Sequence, residues 1–124
     1  VIAISLLWIF GADLPTILSM TTKSITAPIA IITSQQIGGI PSLAVGFVLI
    51  TGIIGALFGT IVFKLARVKH DTSKGFALGL VSHGIGTARA IEISEKAAAF
   101  GALAMGLSGI FTAIFLPMVI TFFR

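Results

Sequence analysis

Long uncharged runs alternate with short polar islands along this chain. Val1–Ala12 carries no charge and closes at Asp13-Leu14-Pro15, an acid and a proline two residues apart. That pairing reads as a helix end and restart. Twelve residues fall short of the roughly 20 needed to cross about 30 Å of hydrocarbon. The first helix is therefore expected either to begin upstream or to continue, kinked, through Ile17-Leu18-Ser19-Met20. A short helix is predicted over Ala27–Gln36, with Pro28 in its first turn, Thr26 as an N-cap hydroxyl and a stop at Gly38-Gly39. Ser42–Phe63 is uncharged and suits one full crossing. Another short helix is expected from Gly75 to about Val81, with Asp71-Thr72-Ser73 as its cap. Ala97–Phe123 is a second uncharged run, 27 residues long. Pro117 is placed to kink it.

Small residues recur at four-residue spacing in these apolar runs: Gly52 and Ala56, Gly55 and Gly59, Gly75 and Gly79, Ala102 and Gly106, Gly109 and Ala113. In lipid such faces let helices approach closely. Their simplest meaning is packing.

Two islands break the apolar pattern. Lys23-Ser24-Ile25-Thr26-Ala27-Pro28-Ile29-Ala30 is the first. Ser82-His83-Gly84-Ile85-Gly86-Thr87-Ala88-Arg89-Ala90 is the second, and it holds one of the chain's two histidines. Each precedes a long uncharged helix. Paired broken segments at corresponding positions point to a transporter binding site.

Composition narrows the class. The chain is 56% hydrophobic and only 10% charged, far below the roughly 25% charge of a soluble domain. An all-α integral membrane protein is expected, with four or five transmembrane segments, two of them discontinuous, in an inverted-repeat arrangement. Residues 1–124 form a single membrane domain. The net charge is +4, but no dense basic run of the nucleic-acid-binding kind occurs. With no cysteine there is no disulfide framework and no thiolate chemistry. No Ser/His/Asp set or metal-ligand spacing assembles, so neither an enzyme nor a cofactor is expected. Lys64, Arg67, Lys69 and Lys74 face only Asp71 in the loop 64–74. The positive-inside rule places that loop on the cytoplasmic or stromal side. His70 is read there as solvated surface, and Glu92 with Lys96 as a helix-surface pair.

The islands carry the chemistry of a small-anion site. Helix N-termini expose unpaired N–H groups and partial positive charge. Thr26-Ala27-Pro28 opens one helix, and Gly86-Thr87-Ala88 is expected to open another. Ser24, Thr26, Ser82 and Thr87 supply hydroxyls, while Gly84 and Gly86 let backbone approach a ligand. Arg89 offers a planar fork to a carboxylate, with Glu92 and Glu95 as the alternative structural partners. His83 is either a proton-linked group or a neutral histidine bonded to a neighbouring helix. Lys23 is read as an interface lysine or a further cation.

The two island strings, together with Ile37-Gly38-Gly39-Ile40-Pro41 and Ala104-Met105-Gly106-Leu107, resemble the LrgB/CidB family over nearly the whole chain. The resemblance implies a polytopic protein working beside a smaller LrgA-like membrane partner. Bacterial members are described as holin/antiholin-like modulators of murein hydrolase export and autolysis. Others are described as carriers of small carboxylates such as pyruvate, and the plant plastidal glycolate/glycerate translocator is similar in its LrgB-like half. Family members are longer, so this chain is expected to be the C-terminal part of one. The islands favour a carrier of small monocarboxylates, with Ser24, Thr26, Pro28, Ser82, His83, Gly84, Gly86, Thr87 and Arg89 as its binding residues. A holin-like modulator and a purely structural subunit are the alternatives. The expected setting is a bacterial inner membrane, or a plastid envelope, with the protein oligomeric and no nucleic acid bound.

Overall fold

Three prolines decide where helices begin. Pro15, Pro28 and Pro41 each sit in a first turn, where a missing N–H leaves no bond unmade and the fixed φ already suits a helix. The computed structural model describes residues 2–122. Among them lie six helices and no strand: α1 (Ile2–Ile9), α2 (Leu14–Met20), α3 (Ala27–Ile37), α4 (Pro41–Leu65), α5 (Asp71–Ile91) and α6 (Glu95–Phe122). Val1, Phe123 and Arg124, and with them the expected end of the last run, fall outside the described residues. α4 and α6 are long and apolar enough to cross a membrane.

α3 ends at Gly38, whose φ of 84° is the left-handed geometry that glycine adopts without strain. The Gly39 N–H donates to the Ser34 carbonyl at 2.7 Å, and the chain turns into α4. Ser19 secures this turn from α2. Its Oγ accepts the Ile40 N–H at 2.7 Å and donates to the Pro15 carbonyl, also at 2.7 Å. Ser19→Ala would orphan a backbone donor. Denaturant unfolding is expected to read a loss of about 1–2 kcal/mol.

α5 is not a rod. Straight, its 21 residues would separate Asp71 from Ile91 by about 30 Å. Instead Ser94, just past the far end, lies near enough to lower the pKa of the Asp71 carboxyl. Leu78, Ala90 and Ala97 form one buried cluster with Phe63 and Ile93 against it. The reversal occurs at His83, with φ 44° and ψ −127°, close to the first central residue of a type II′ turn. Residues 71–82 thus form one arm and 84–91 a second arm folded back beside it.

Close backbone approach holds the hairpin. The first arm lies antiparallel to α4, with Leu78 over Gly59, Ser82 over Gly55 and the His83 ring over Gly52. Its other side meets α6, where Gly75 and Gly79 rest on the carbonyls of Ala97 and Gly101. The expected α4 and α5 small-residue faces therefore do pack. Of the two faces expected on α6, Gly109 is buried against Ile29, but the face toward α5 is a different one. Ala97, Gly101 and Ala104 are buried, whereas Ala102 and Gly106 are exposed, because the contact stripe is set by where α5 crosses.

Lys74 Nζ pairs with Asp71 at 2.9 Å, and the bond from Lys74 and then the nearby Ser94 side chain hold the Asp71 carboxyl below its ordinary range. A depressed carboxyl stabilises the fold above its ordinary pKa. That contribution fades as pH falls through the lowered value.

Candidate functional site

The tip of the α5 hairpin gathers the most strongly buried polar groups of the second island. Ser82 is fully buried and His83 is 4% exposed. His83 Nε2 lies 3.0 Å from the Val48 carbonyl of α4. A carbonyl only accepts, so the proton of this bond is on Nε2. Thr87 Oγ1 donates to the His83 carbonyl at 2.9 Å, satisfying one of the acceptors that the reversal frees. Ser82 Oγ is buried with no hydrogen-bond partner. It sits directly over Gly55, where any Cβ would overlap it.

Gly86 is buried because the second arm presses it onto the Leu78 carbonyl of the first. Here the absent Cβ serves arm-to-arm packing. Gly84, at the start of the second arm, is exposed. The break is narrower than expected: only His83 leaves helical geometry, so the second arm opens at Gly84 rather than near Gly86. The first arm likewise begins at Asp71, not Gly75, with His70 as N-cap.

The first island reaches the same level from the other side. Ile25 is buried in one cluster with Ala30, Ala44 and Val48, and Val48 is the residue that holds His83. On α6, Ile29 lies over Gly109, while Met105, one turn away, faces Gly84 and Thr87. The opening turn of α3 and the tip of α5 therefore lie against adjacent turns of α6. α3 itself rests on α4 and α6 and does not touch α5. Thr26 stands at the N-cap position in extended geometry, yet its side chain makes no capping bond. Ser24 accepts from Lys23 Nζ at 3.1 Å. Pro28 is exposed.

Arg89 lies apart from the tip. It points outward near the end of the second arm and pairs with Glu92 through one nitrogen, Nη1. Glu92 thus takes Arg89, as the structural alternative for that arginine had it, and not Lys96. His70 is exposed, as read from the sequence.

Several polar positions escaped the sequence reading. Ser19, Thr22, Thr33 and Ser34 are buried. Thr22 and Ser34 bond carbonyls three residues back, which any hydroxyl in a helix can do. No spacing distinguishes them. Val48 had no signal at all, because its contribution is a backbone carbonyl. Among the described residues no three His, Asp or Glu side chains gather to hold a metal ion.

The profile of the LrgB-like family matches residues 1–122. The chain is 38% identical to the Bacillus subtilis protein YxaC over 115 residues, which is 93% of this chain and 50% of that one. It is 32% identical to the holin-like protein CidB of Staphylococcus epidermidis over 123 residues, 99% of this chain and 54% of the relative. CidB of Staphylococcus aureus is also 32% identical, over 92% of this chain and 50% of its own. The chain therefore spans about half the length of these relatives. No solved structure matches it. The protein belongs to the LrgB-like family.

Proposed function

We propose that this chain supplies the binding region of a carrier for small monocarboxylates of the pyruvate, glycolate or glycerate type. The observation that carries the reading is Ser82 Oγ, buried and unpartnered at the hairpin tip; Val48 of α4 links that tip, through His83, to Ile25 just ahead of an α3 N-terminus with no side-chain cap. The first arm of α5, residues 71–82, is about 18 Å long and spans little more than half of the hydrocarbon. Non-helical backbone at that depth is tolerated where it lines a protein-enclosed or aqueous site. In this reading α3 with α4 and α5 with α6 are the two units of an inverted repeat, each a short segment followed by a long span, with α5 the one broken within its length.

In this reading the carboxylate meets the α3 N-terminal N–H groups, with Thr26 and Ser82 as hydroxyl donors. Glu92 engages only one arm of the Arg89 fork, which leaves the remaining guanidinium donors for an anion entering or leaving. His83 couples a proton through Nδ1, because Nε2 is committed to Val48. The loop 64–74 lies on the cytoplasmic face of a bacterial membrane, and the protein works as an oligomer with an LrgA-like membrane partner.

The test is uptake of labelled pyruvate and glycolate into liposomes holding the full protein, with and without that partner and an inward proton gradient. Saturable uptake is expected. It should fall about tenfold or more in Arg89→Lys, which keeps charge but loses the fork. Ser82→Ala should lose uptake while gaining about 1 kcal/mol of stability, since it removes an unpaired buried hydroxyl. Wild-type uptake in both variants would remove the site from these residues.

A second reading has its own observation, the holin-like name of the CidB relatives. It predicts release of all small solutes regardless of charge, with no saturation.

A further inference from the structure

At the loop end of the hairpin lies a cavity of about 200 Å³ between α4, the start of α5 and the α5–α6 junction. Its lining is Thr60, Phe63, Lys64, Val68, Lys74 and Ile93. The combination is amphipathic: two lysines share the lining with an aromatic ring and two branched aliphatic side chains. Phe63 also lines a second, apolar groove of about 330 Å³, which follows the α4–α5 seam toward Gly55 and Ser82.

Charge at this end is unbalanced. Lys74 is held by Asp71 at 2.9 Å, and Lys64 forms no ion pair among the described residues. Arg67 and Lys69 add positive charge nearby, both exposed. A soluble anion would gain from the lysines but nothing from Phe63 or Ile93. A neutral lipid would gain from the walls but not from the lysines. We infer that this cavity binds the phosphate headgroup of one anionic phospholipid, between Lys64 and Lys74, with an acyl chain laid on the apolar surface that Phe63 shares with the α4–α5 groove. A lipid seated there would brace the base of the hairpin whose tip carries the buried Ser82 and His83. The inference does not depend on what crosses the membrane.

The experiment places the full protein in nanodiscs of phosphatidylcholine and titrates phosphatidylglycerol, reading bound lipid by native mass spectrometry. The expected result is a defined stoichiometry of retained phosphatidylglycerol. Lys64→Gln with Lys74→Gln should weaken it about tenfold or more, given the attraction of each basic residue near an anionic headgroup. Arg67→Gln with Lys69→Gln, outside the cavity, should leave it within about twofold. Val68→Trp fills the cavity while keeping both lysines, and should also lose the lipid; it answers the question if the double lysine variant does not fold. Equal loss in both pairs of charge variants would overturn the site in favour of a diffuse surface attraction. Displacement by soluble glycerol phosphate at the same concentration as the lipid would overturn the lipid as occupant.

Discussion

Gly79→Ala is expected to destabilise the protein by about 3 kcal/mol, the upper part of the range for an overpacked core. The reason is geometric. A methyl at Gly79 would be driven into the Gly101 carbonyl of α6, and one at Gly75 into the Ala97 carbonyl. Backbone on a helix cannot swing aside as a side chain can, so α5 and α6 would have to separate along their shared length. The control is Gly106→Ala. Nothing lies within 4 Å of a Cβ there, so replacing an interior helical glycine should stabilise by about 0.5–1 kcal/mol. Gly55→Ala separates a third case. Its methyl would meet the Ser82 side chain, and Ser82→Ala should restore part of the loss. Reversible unfolding in mixed micelles measures all four. Equal effects at Gly79 and Gly106 would mean that α5 does not lie on α6 as described.

The second large effect falls on His83. His83→Ala removes the bond to Val48, empties a buried ring site and keeps a Cβ at φ 44°. A loss of about 2–4 kcal/mol is expected from the cavity and the lost bond together. His83→Gly loses the same contacts, but glycine adopts this backbone geometry without strain. It should be more stable than the alanine variant by about 1–2 kcal/mol. The reverse order, alanine above glycine, is what a continuous α5 helix would produce. The pair therefore reads the reversal itself, separately from the packing.

Much of the helical outline is legible from the residues. Pro28, Gly38 and Pro41 mark α3 and the start of α4 to within a residue, because proline and glycine act through local backbone limits that do not depend on partners. The uncharged runs locate α4 and α6 for a similar reason. The polar island at Ser82–Arg89 marks where α5 is interrupted, but not how. Reversal at one histidine depends on Gly52 and Val48 of α4 receiving its ring, and those are distant in sequence. The identity of α6's buried stripe depends likewise on which small residues α5 crosses. Four-residue spacing fits Ala102 and Gly106 as well as Ala97 and Gly101, and only the tertiary contact chooses. Arg89 shows the opposite limit. Its pairing with Glu92 is a local i,i+3 contact, so the sequence offers that partner beside Glu95, and only the structure chooses between them.

The proposed site is tested most directly by chemical accessibility at Thr26. This chain has no cysteine, so in a full protein cleared of cysteine elsewhere Thr26→Cys provides one thiol at the mouth of α3. Its reaction rate with a small anionic thiol reagent is measured in membranes with and without saturating pyruvate. A meeting of the two islands around a carboxylate predicts ready modification by the anionic reagent, and several-fold protection by pyruvate that Ser82→Ala abolishes. A thiol modified at the same rate whether or not pyruvate is present would place the substrate elsewhere and contradict the site.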